Sequence, residues 1–306
     1  MTVQASRTWK MIERTIPWAT LVILAVYTYT FFFLVPYIGF EFTRGEVSEI
    51  FVPTSPESIQ IGDQLLRVGT VSLNAFTNDL SQTIFDSLET DQSISLLVER
   101  NGQEFAFDWV HPGSDQDQIL QRFNGLWWLP YVFWMAGTAT LLFIRPKDVR
   151  WILLIAFNYL TAIWLAAGSG PSHWHVWQSA IVLRSVMWLC LPVYLHFHWV
   201  FPQPIRQLPI IVWGLIYLSG ITFAILEWFL VPPVSAYYGG FLLAIMGSIV
   251  FLITHVIFQK EHRRDIGLLA LAIMLVVIPP LGISIITLTG QQPPAFIQGG
   301  AFLAFP

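Results

Sequence analysis

The chain has 306 residues, 55% of them apolar and only 11% charged, with a formal net charge of −4 and a mean hydropathy of +0.61. This composition excludes a soluble protein of this length, and its sparse basic residues argue against a nucleic-acid partner; it describes an integral membrane protein. The single cysteine, Cys190, excludes an internal disulfide.

A membrane-crossing helix needs about 20 mostly apolar residues, because roughly 30 Å of hydrocarbon is covered at about 1.5 Å per residue. Runs of that kind predict seven full spans, at 18–36, 126–144, 151–168, 181–201, 210–231, 241–258 and 266–289, and the start of an eighth near Ala295. None shows the period-two alternation of barrel strands, so the spans are helices whose backbone polar groups are satisfied within the segment. The predicted fold class is a multi-span α-helical membrane protein with an inserted α+β domain. Residues 1–36 form the N-terminus and first transmembrane helix, 37–112 the inserted domain, and 113–306 a helical bundle that stops within its last span.

Lysine and arginine in the short loops set the orientation. Arg7, Lys10, Arg14, Arg145, Lys147, Arg150, Arg206, Lys260, Arg263 and Arg264 fall on one side with only four acids, Glu13, Asp148, Glu261 and Asp265. That side is expected to be cytoplasmic. The opposite side carries Arg44, Arg67, Arg100 and Arg122 against fourteen acids between Glu41 and Asp117. The first span is too long for a signal-peptide core and lacks a small-residue cleavage site after Pro36, so it reads as an uncleaved anchor with the N-terminus inside. The expected location is the plasma membrane, multi-pass, with 37–112 outside the cell.

Within the insertion, Val47 to Val52 reads as a mostly buried strand ending at Pro53, and Gln64 to Val68 as a second strand after Gly62-Asp63. Gly69 permits the turn toward Val71 and Leu73. Phe76, Leu80, Ile84 and Leu88 then recur every four residues behind Asn74, which predicts an amphipathic helix over 75–88 with Asn74 as its cap. Ile94, Leu96 and Val98 alternate with polar neighbours, and Asn101-Gly102 returns the chain as a hairpin through Phe105, Phe107 and Trp109.

This order, with Ser55-Pro56-Glu57 leading to Ile61-Gly62-Asp63, resembles the bacterial PDZ pattern over about a quarter of the chain. The usual Ala-Gly-Leu after the Ser-Pro turn is replaced by Ser58-Ile59-Gln60-Ile61. The resemblance implies a carboxylate-binding loop at Tyr37-Ile38-Gly39-Phe40 and a peptide groove between Phe40 to Thr43 and a helix bearing Phe76 and Leu80. The alternative is that Gly39 only turns the chain and that the protein's own side chains fill the groove. A ligand would have to approach along the membrane surface, so the module reads as one wall of a composite site shared with the outer ends of the spans, near Trp174 and Tyr237.

Among the spans, Trp127, Trp128, Trp174, Trp177, Tyr237 and Tyr238 gather at the ends, where amphipathic rings suit the headgroup layer. Arg184 and Glu227 are ionisable groups inside spans, at similar outer depth on helices joined as a hairpin. Such groups are costly unless paired or hydrated, so the two form either a structural pair or part of a signal-receiving membrane polar site. His173 and His175 lie in an outer turn and read as interfacial decoration, an acidity sensor or metal ligands. His196 and His198 lie about 200° apart on a helix and cannot share a metal. A His196–His255 haem pair stays open beside plain polar anchoring, and no cofactor or metal is expected. Pro279-Pro280 should kink the seventh span, and Gly239-Gly240 and Gly299-Gly300 should permit close helix packing.

One span, an outer module and a further bundle, with Ala166-Ala167-Gly168-Ser169-Gly170-Pro171 and Leu195-His196-Phe197-His198-Trp199-Val200-Phe201-Pro202, resembles the sensory half of competence-pheromone receptor kinases and related multi-span histidine kinases. The resemblance implies a receptor for an extracellular peptide or small ligand, homodimeric through a cytoplasmic histidine-kinase output lying beyond this fragment. No His-Glu-x-x-His, Gly-x-Ser-x-Gly, P-loop or Cys-x-x-Cys is present, so no catalytic residue is expected in the chain itself. The other readings are a membrane transporter, which intramembrane charges and a double-proline break also suit, and a receptor for another output such as a cyclase.

Overall fold

The computed structural model describes residues 7–43, 45–52, 58–86, 88–113, 116–123, 125–258 and 267. Outside them lie Ser55-Pro56-Glu57, Arg44, Lys260, Arg263 and Arg264, the span expected at 266–289 with Pro279-Pro280, and the eighth start with Gly299-Gly300.

Helix α1 (Arg7–Tyr29) runs on through one π turn, Thr30–Leu34, into a small antiparallel sheet. Its strands are β1 (Phe40–Thr43), β2 (Glu46–Ile50), β3 (Gln64–Val68), β4 (Val71–Ser72), β5 (Ser93–Arg100) and β6 (Gln103–Val110). The spatial order is β1-β2-β3-β5-β6, with β4 paired to β3 off that path. The β5–β6 hairpin closes at Asn101-Gly102, both residues at positive φ, 52° and 77°, as a two-residue turn matched to strand twist requires. Strand β2 is half-buried rather than mostly buried: Val47 is in the core, whereas Glu49 and Phe51 are exposed.

The core of this module gathers Ile38, Phe40, Val47, Leu65, Leu96 and Trp109, with the Trp109 indole N–H donating to the Ile38 carbonyl at 2.9 Å. Gly62-Asp63 is part of its frame. Asp63 is 1% exposed and takes a bidentate pair from Arg100, Nε to Oδ1 and Nη2 to Oδ2, both at 2.7 Å. The Gln60 N–H donates to Oδ2 at 2.8 Å, and Arg100 reaches on to the Ser58 carbonyl at 2.7 Å. One side-chain pair therefore ties β5 to the loop entering β3.

The helix expected over 75–88 is a correction. Helix α2 spans only Leu73–Asn78, with Ser72, not Asn74, accepting the Ala75 N–H at its start. It stops because the Asp79 carboxylate accepts both the Ser81 N–H (2.9 Å) and the Ser81 hydroxyl (2.6 Å), a local bond that competes with helical continuation. Phe76, Leu80 and Ile84 are all buried, so the four-residue period marks burial without a helix.

After helix α3 (Gln116–Phe123) come α4 (Leu129–Phe143), α5 (Val149–Gly168), α6 (Ser179–Val200), α7 (Ile210–Trp228) and α8 (Val234–Phe258). Among the described residues five stretches are long and apolar enough to cross a membrane: Met11–Leu34, Val149–Gly168, Val176–Val200, Ile210–Trp228 and Ala236–Phe258. The expected second span is the shorter α4, whose 15 residues rise only about 22 Å. Pro130 sits in its first turn and Pro146 follows its C-cap closely, which suits a helix start and disfavours continuation.

Helix α6 is the hub: 67% of its apolar window is buried, against 17% for α7, whose outward face carries exposed Ile210, Ile211 and Leu215. Gly220 allows the close α6–α7 approach, since a Cβ there would lie 2.7 Å from the Trp188 carbonyl oxygen. Of the Gly239-Gly240 pair, only Gly240 meets a neighbour, the Trp188 ring. At the end away from the sheet, Lys147 holds both oxygens of Glu13 at 2.6 Å, and Arg150 donates to the Pro202 carbonyl at 3.1 Å. At the sheet end, Arg122 donates to the carbonyls of Phe31, Phe32 and Val35 at 2.6, 3.0 and 2.8 Å. A cation there complements both the orphan acceptors and the negative pole of the helix terminus.

Candidate functional site

The chain between α5 and α6 builds the junction of sheet module and bundle. Helix α5 ends at Gly168, where the Ser169 hydroxyl donates back to the Ala166 carbonyl at 3.1 Å. Gly170, at φ +127°, turns the chain where a Cβ would strike the Phe31 ring. A 3-10 turn, Pro171–Trp174, follows, and His175 lies in the left-handed region at φ 56°. This irregular turn aims three rings at the module.

Trp174 meets Phe42 edge-on at 5.7 Å and Phe85 at 6.0 Å between ring centroids. His173 lies against Phe42 at 5.5 Å, and His175 stacks on Phe76 at 4.3 Å. His175 Nδ1 sits 2.8 Å from the Gln82 carbonyl; a carbonyl can only accept, so Nδ1 carries the proton. Burial holds this imidazole below the usual histidine range.

The sequence-predicted ligand residues divide accordingly. Ile38 and Phe40 are core residues of the module, 2% and 3% exposed, with Phe40 packed edge-on against Phe85 and Trp109. Gly39 does turn the chain, at φ +78°, and a Cβ there would lie 2.9 Å from Val52; its carbonyl accepts the Phe51 N–H at 2.8 Å. Tyr37 is half-buried beside them. Phe42 on β1 and Phe76 on α2 stand as the walls of the expected groove, and the bundle's own His173-Trp174-His175 lies on both. Leu80 leaves the module core and packs on Ala180 and Ile181 of α6.

Directly beyond Leu80, a cavity of about 200 Å³ opens, lined by Asn78, Leu80, Arg184, Glu227 and the 230–233 turn. Arg184 and Glu227 do converge, as their hairpin placement suggested. Arg184 Nη1 lies 3.9 Å from Glu227 Oε2, an ion pair too long for a hydrogen bond. Glu227 Oε1 accepts from the Trp188 indole at 2.9 Å, whereas Oε2 is buried with no hydrogen-bond partner among the described residues. The Ser185 hydroxyl donates to the Ala224 carbonyl at 3.0 Å and fixes α6 against α7 here. Helix α7 ends with Leu230 N–H on the Glu227 carbonyl and Val231 N–H on that of Leu226. Leu230, at φ 54°, occupies the left-handed position where glycine is usual, and this cap folds the 230–233 turn over the cavity.

The remaining histidines are engaged separately. His196 stacks on Trp213 at 3.9 Å and bonds the Tyr217 hydroxyl at 3.2 Å. His255 Nε2 donates to the His198 carbonyl at 2.7 Å. Among the described residues no group of three or more His, Cys, Asp or Glu could hold a metal. Sequence reasoning missed the Trp188 bond to Glu227 and the Arg122 cap; a tryptophan four residues from an intramembrane arginine is the one signal available for the former.

No protein-family model matches the chain, and no curated protein or solved structure matches it either.

Proposed function

We propose that this chain is the sensory membrane region of a receptor, which detects an extracellular peptide or small ligand and signals to a cytoplasmic histidine-kinase output. In this reading residues 37–112 are a PDZ-like extracytoplasmic domain, the basic ends of the helices face the cytoplasm in a plasma membrane, and dimerisation runs through the output domain. The observation that carries it is the docking of the 171–175 turn onto Phe42, Phe76 and Phe85. A module seated on a helix bundle by a few rings has two arrangements available, docked and undocked, and a ligand that favours one shifts the bundle with it. Helix α3, which follows the module, also holds the π turn that continues α1 through Arg122, so a shift in docking has a route to the first helix.

A transporter is the second reading, favoured by the buried Glu227 oxygen that has no hydrogen-bond partner among the described residues beside Arg184. The two separate in membranes holding the full-length protein supplied with labelled ATP. The expected result is phosphohistidine whose level changes several-fold in the Trp174→Ala variant. Output unaltered by that substitution, or solute uptake into proteoliposomes without phosphohistidine, overturns the receptor reading.

A further inference from the structure

We infer that the cavity between Arg184 and Glu227 binds a small aliphatic zwitterion, a free α-amino acid, with its carboxylate on the Arg184 guanidinium and its ammonium on Glu227 Oε2. The inference rests on reading the module–bundle junction as the ligand site and names the chemistry of what enters it.

The charges select the ligand. Glu227 is 1% exposed, and among the described residues one of its oxygens has no hydrogen-bond partner and Arg184, 3.9 Å from that oxygen, makes no hydrogen bond. A closed carboxylate–guanidinium pair would sit about 1 Å nearer. A lone anion entering this space meets the Glu227 carboxylate, and a lone cation meets Arg184. A molecule carrying both charges a few ångströms apart satisfies the open oxygen and the guanidinium together, and adds no net charge to a buried site.

Size and walls narrow it further. Sites for drug-sized ligands run to about 300–1,000 Å³, whereas this cavity holds about 200 Å³. An extended peptide, whose termini lie far apart, does not fit, and the strand-like groove beside it is occupied by Trp174 and His175. Leu80, Leu230, Val231 and the Pro232-Pro233 pair supply the apolar wall for a short side chain. Val231 is 62% exposed, which puts the entrance at the α7 end, and because Glu227 Oε2 is itself covered, the 230–233 turn must give way for the ammonium to reach it.

The test uses the full-length protein in lipid nanodiscs and calorimetric titration with glycine, alanine, valine and leucine. 4-Methylpentanoate and 3-methylbutylamine serve as probes that lack one charge of leucine. Saturable binding of alanine, valine or leucine is expected, with no binding of the singly charged probes. Affinity should fall at least tenfold in Glu227→Gln and in Arg184→Gln. Val231→Trp, an exposed position at the mouth, should block binding with an unchanged melting temperature, which guards against a variant that merely misfolds. The inference is overturned if no amino acid binds the folded wild type, if either singly charged probe binds as well as leucine, or if Val231→Trp binds normally. Binding of leucine together with a Trp174→Ala variant of unaltered output would retain the site and remove the receptor reading. Altered output in that variant without amino-acid binding would do the reverse.

Discussion

The sheet module and the helical bundle each bury one carboxylate against one arginine, and the two pairs are built differently. Asp63 receives three hydrogen bonds, two of them a fork from Arg100 at 2.7 Å. Glu227 receives one, from Trp188, and faces Arg184 across 3.9 Å with an oxygen left over. Buried charge is tolerated when its lone pairs are filled. In the module the protein fills them itself, so the pair is a clamp; in the bundle it leaves a gap beside a cavity, so the pair has the form of a site.

Removing the clamp should have the largest effect. Asp63→Ala leaves Arg100 uncompensated and removes the carboxylate that accepts the Gln60 N–H, and with the arginine 18% exposed the loss should be about 3 kcal/mol, at the lower end for buried pairs. Denaturant unfolding, with amide exchange in β3 and β5, checks this; a loss under about 1 kcal/mol would mean the fork is dispensable. Next comes the junction between the two regions. Trp174→Ala removes a half-buried ring and should cost about 2 kcal/mol, below the range for a fully buried tryptophan. Protease cleavage and amide exchange around Gln82 to Phe85 should rise while the helices stay protected.

The sharpest contrast is a double exchange at each pair. Arg184→Met with Glu227→Gln keeps an acceptor for Trp188, removes both buried charges, and should change stability by no more than about 1 kcal/mol. Ligand response should vanish all the same. Asp63→Asn with Arg100→Met orphans the Ser58 carbonyl and weakens the bond to Gln60, so it should cost more, about 2 kcal/mol. Equal losses at the two pairs, with response intact in the bundle variant, would erase the distinction between clamp and site.

Much of this was legible in the sequence because burial has a simple period. Apolar length located the five long helices and the shorter α4, and alternation with Asn101-Gly102 located β5 and β6. The convergence of Arg184 and Glu227 followed from hairpin logic. The reading failed where side chains compete locally with the backbone. Asp79 ends α2 early through Ser81, although Phe76, Leu80 and Ile84 keep a helical spacing. It also failed where the partner is remote: nothing within 37–112 says that His173, Trp174 and His175 will lie on Phe42 and Phe76. Phe40 shows the same limit, since a motif position cannot say whether a ring lines a groove or fills a core.

Acidity should act on the junction in one direction. Burial is the main cause of the depressed His175 pKa, with Arg184 and His173 pushing the same way and the Gln82 carbonyl and Asp79 opposing. A depressed histidine favours the neutral form when docked, so its contribution is complete above about 6.5, the ordinary value. It is lost as pH falls from there through the docked-state pKa. Junction protection should therefore weaken below pH 6.5 in the wild type, less so in His175→Phe, which keeps the stack on Phe76, and stay flat only when His173, also depressed by burial, is replaced by Phe as well. A wild type equally protected across that window would show that the ring does not hold the junction through its neutral form.

The smallest expected effect lies at a pair of like charges. Glu41 on β1 faces Glu49 on β2 directly across the ladder, and both are exposed, so the repulsion is weak and reached by salt. Glu49→Lys turns the like pair into an opposite one and should stabilise the module by about 0.5 kcal/mol. The gain should shrink strongly in about 1 M salt, where the Debye length is only about 3 Å. Asp63→Ala should keep its full cost at that ionic strength, because bonds to a carboxylate 1% exposed are little screened. A gain in Glu49→Lys that salt leaves untouched would assign it to strand propensity or packing, and the exposed edge would then carry no electrostatic share in the module at all.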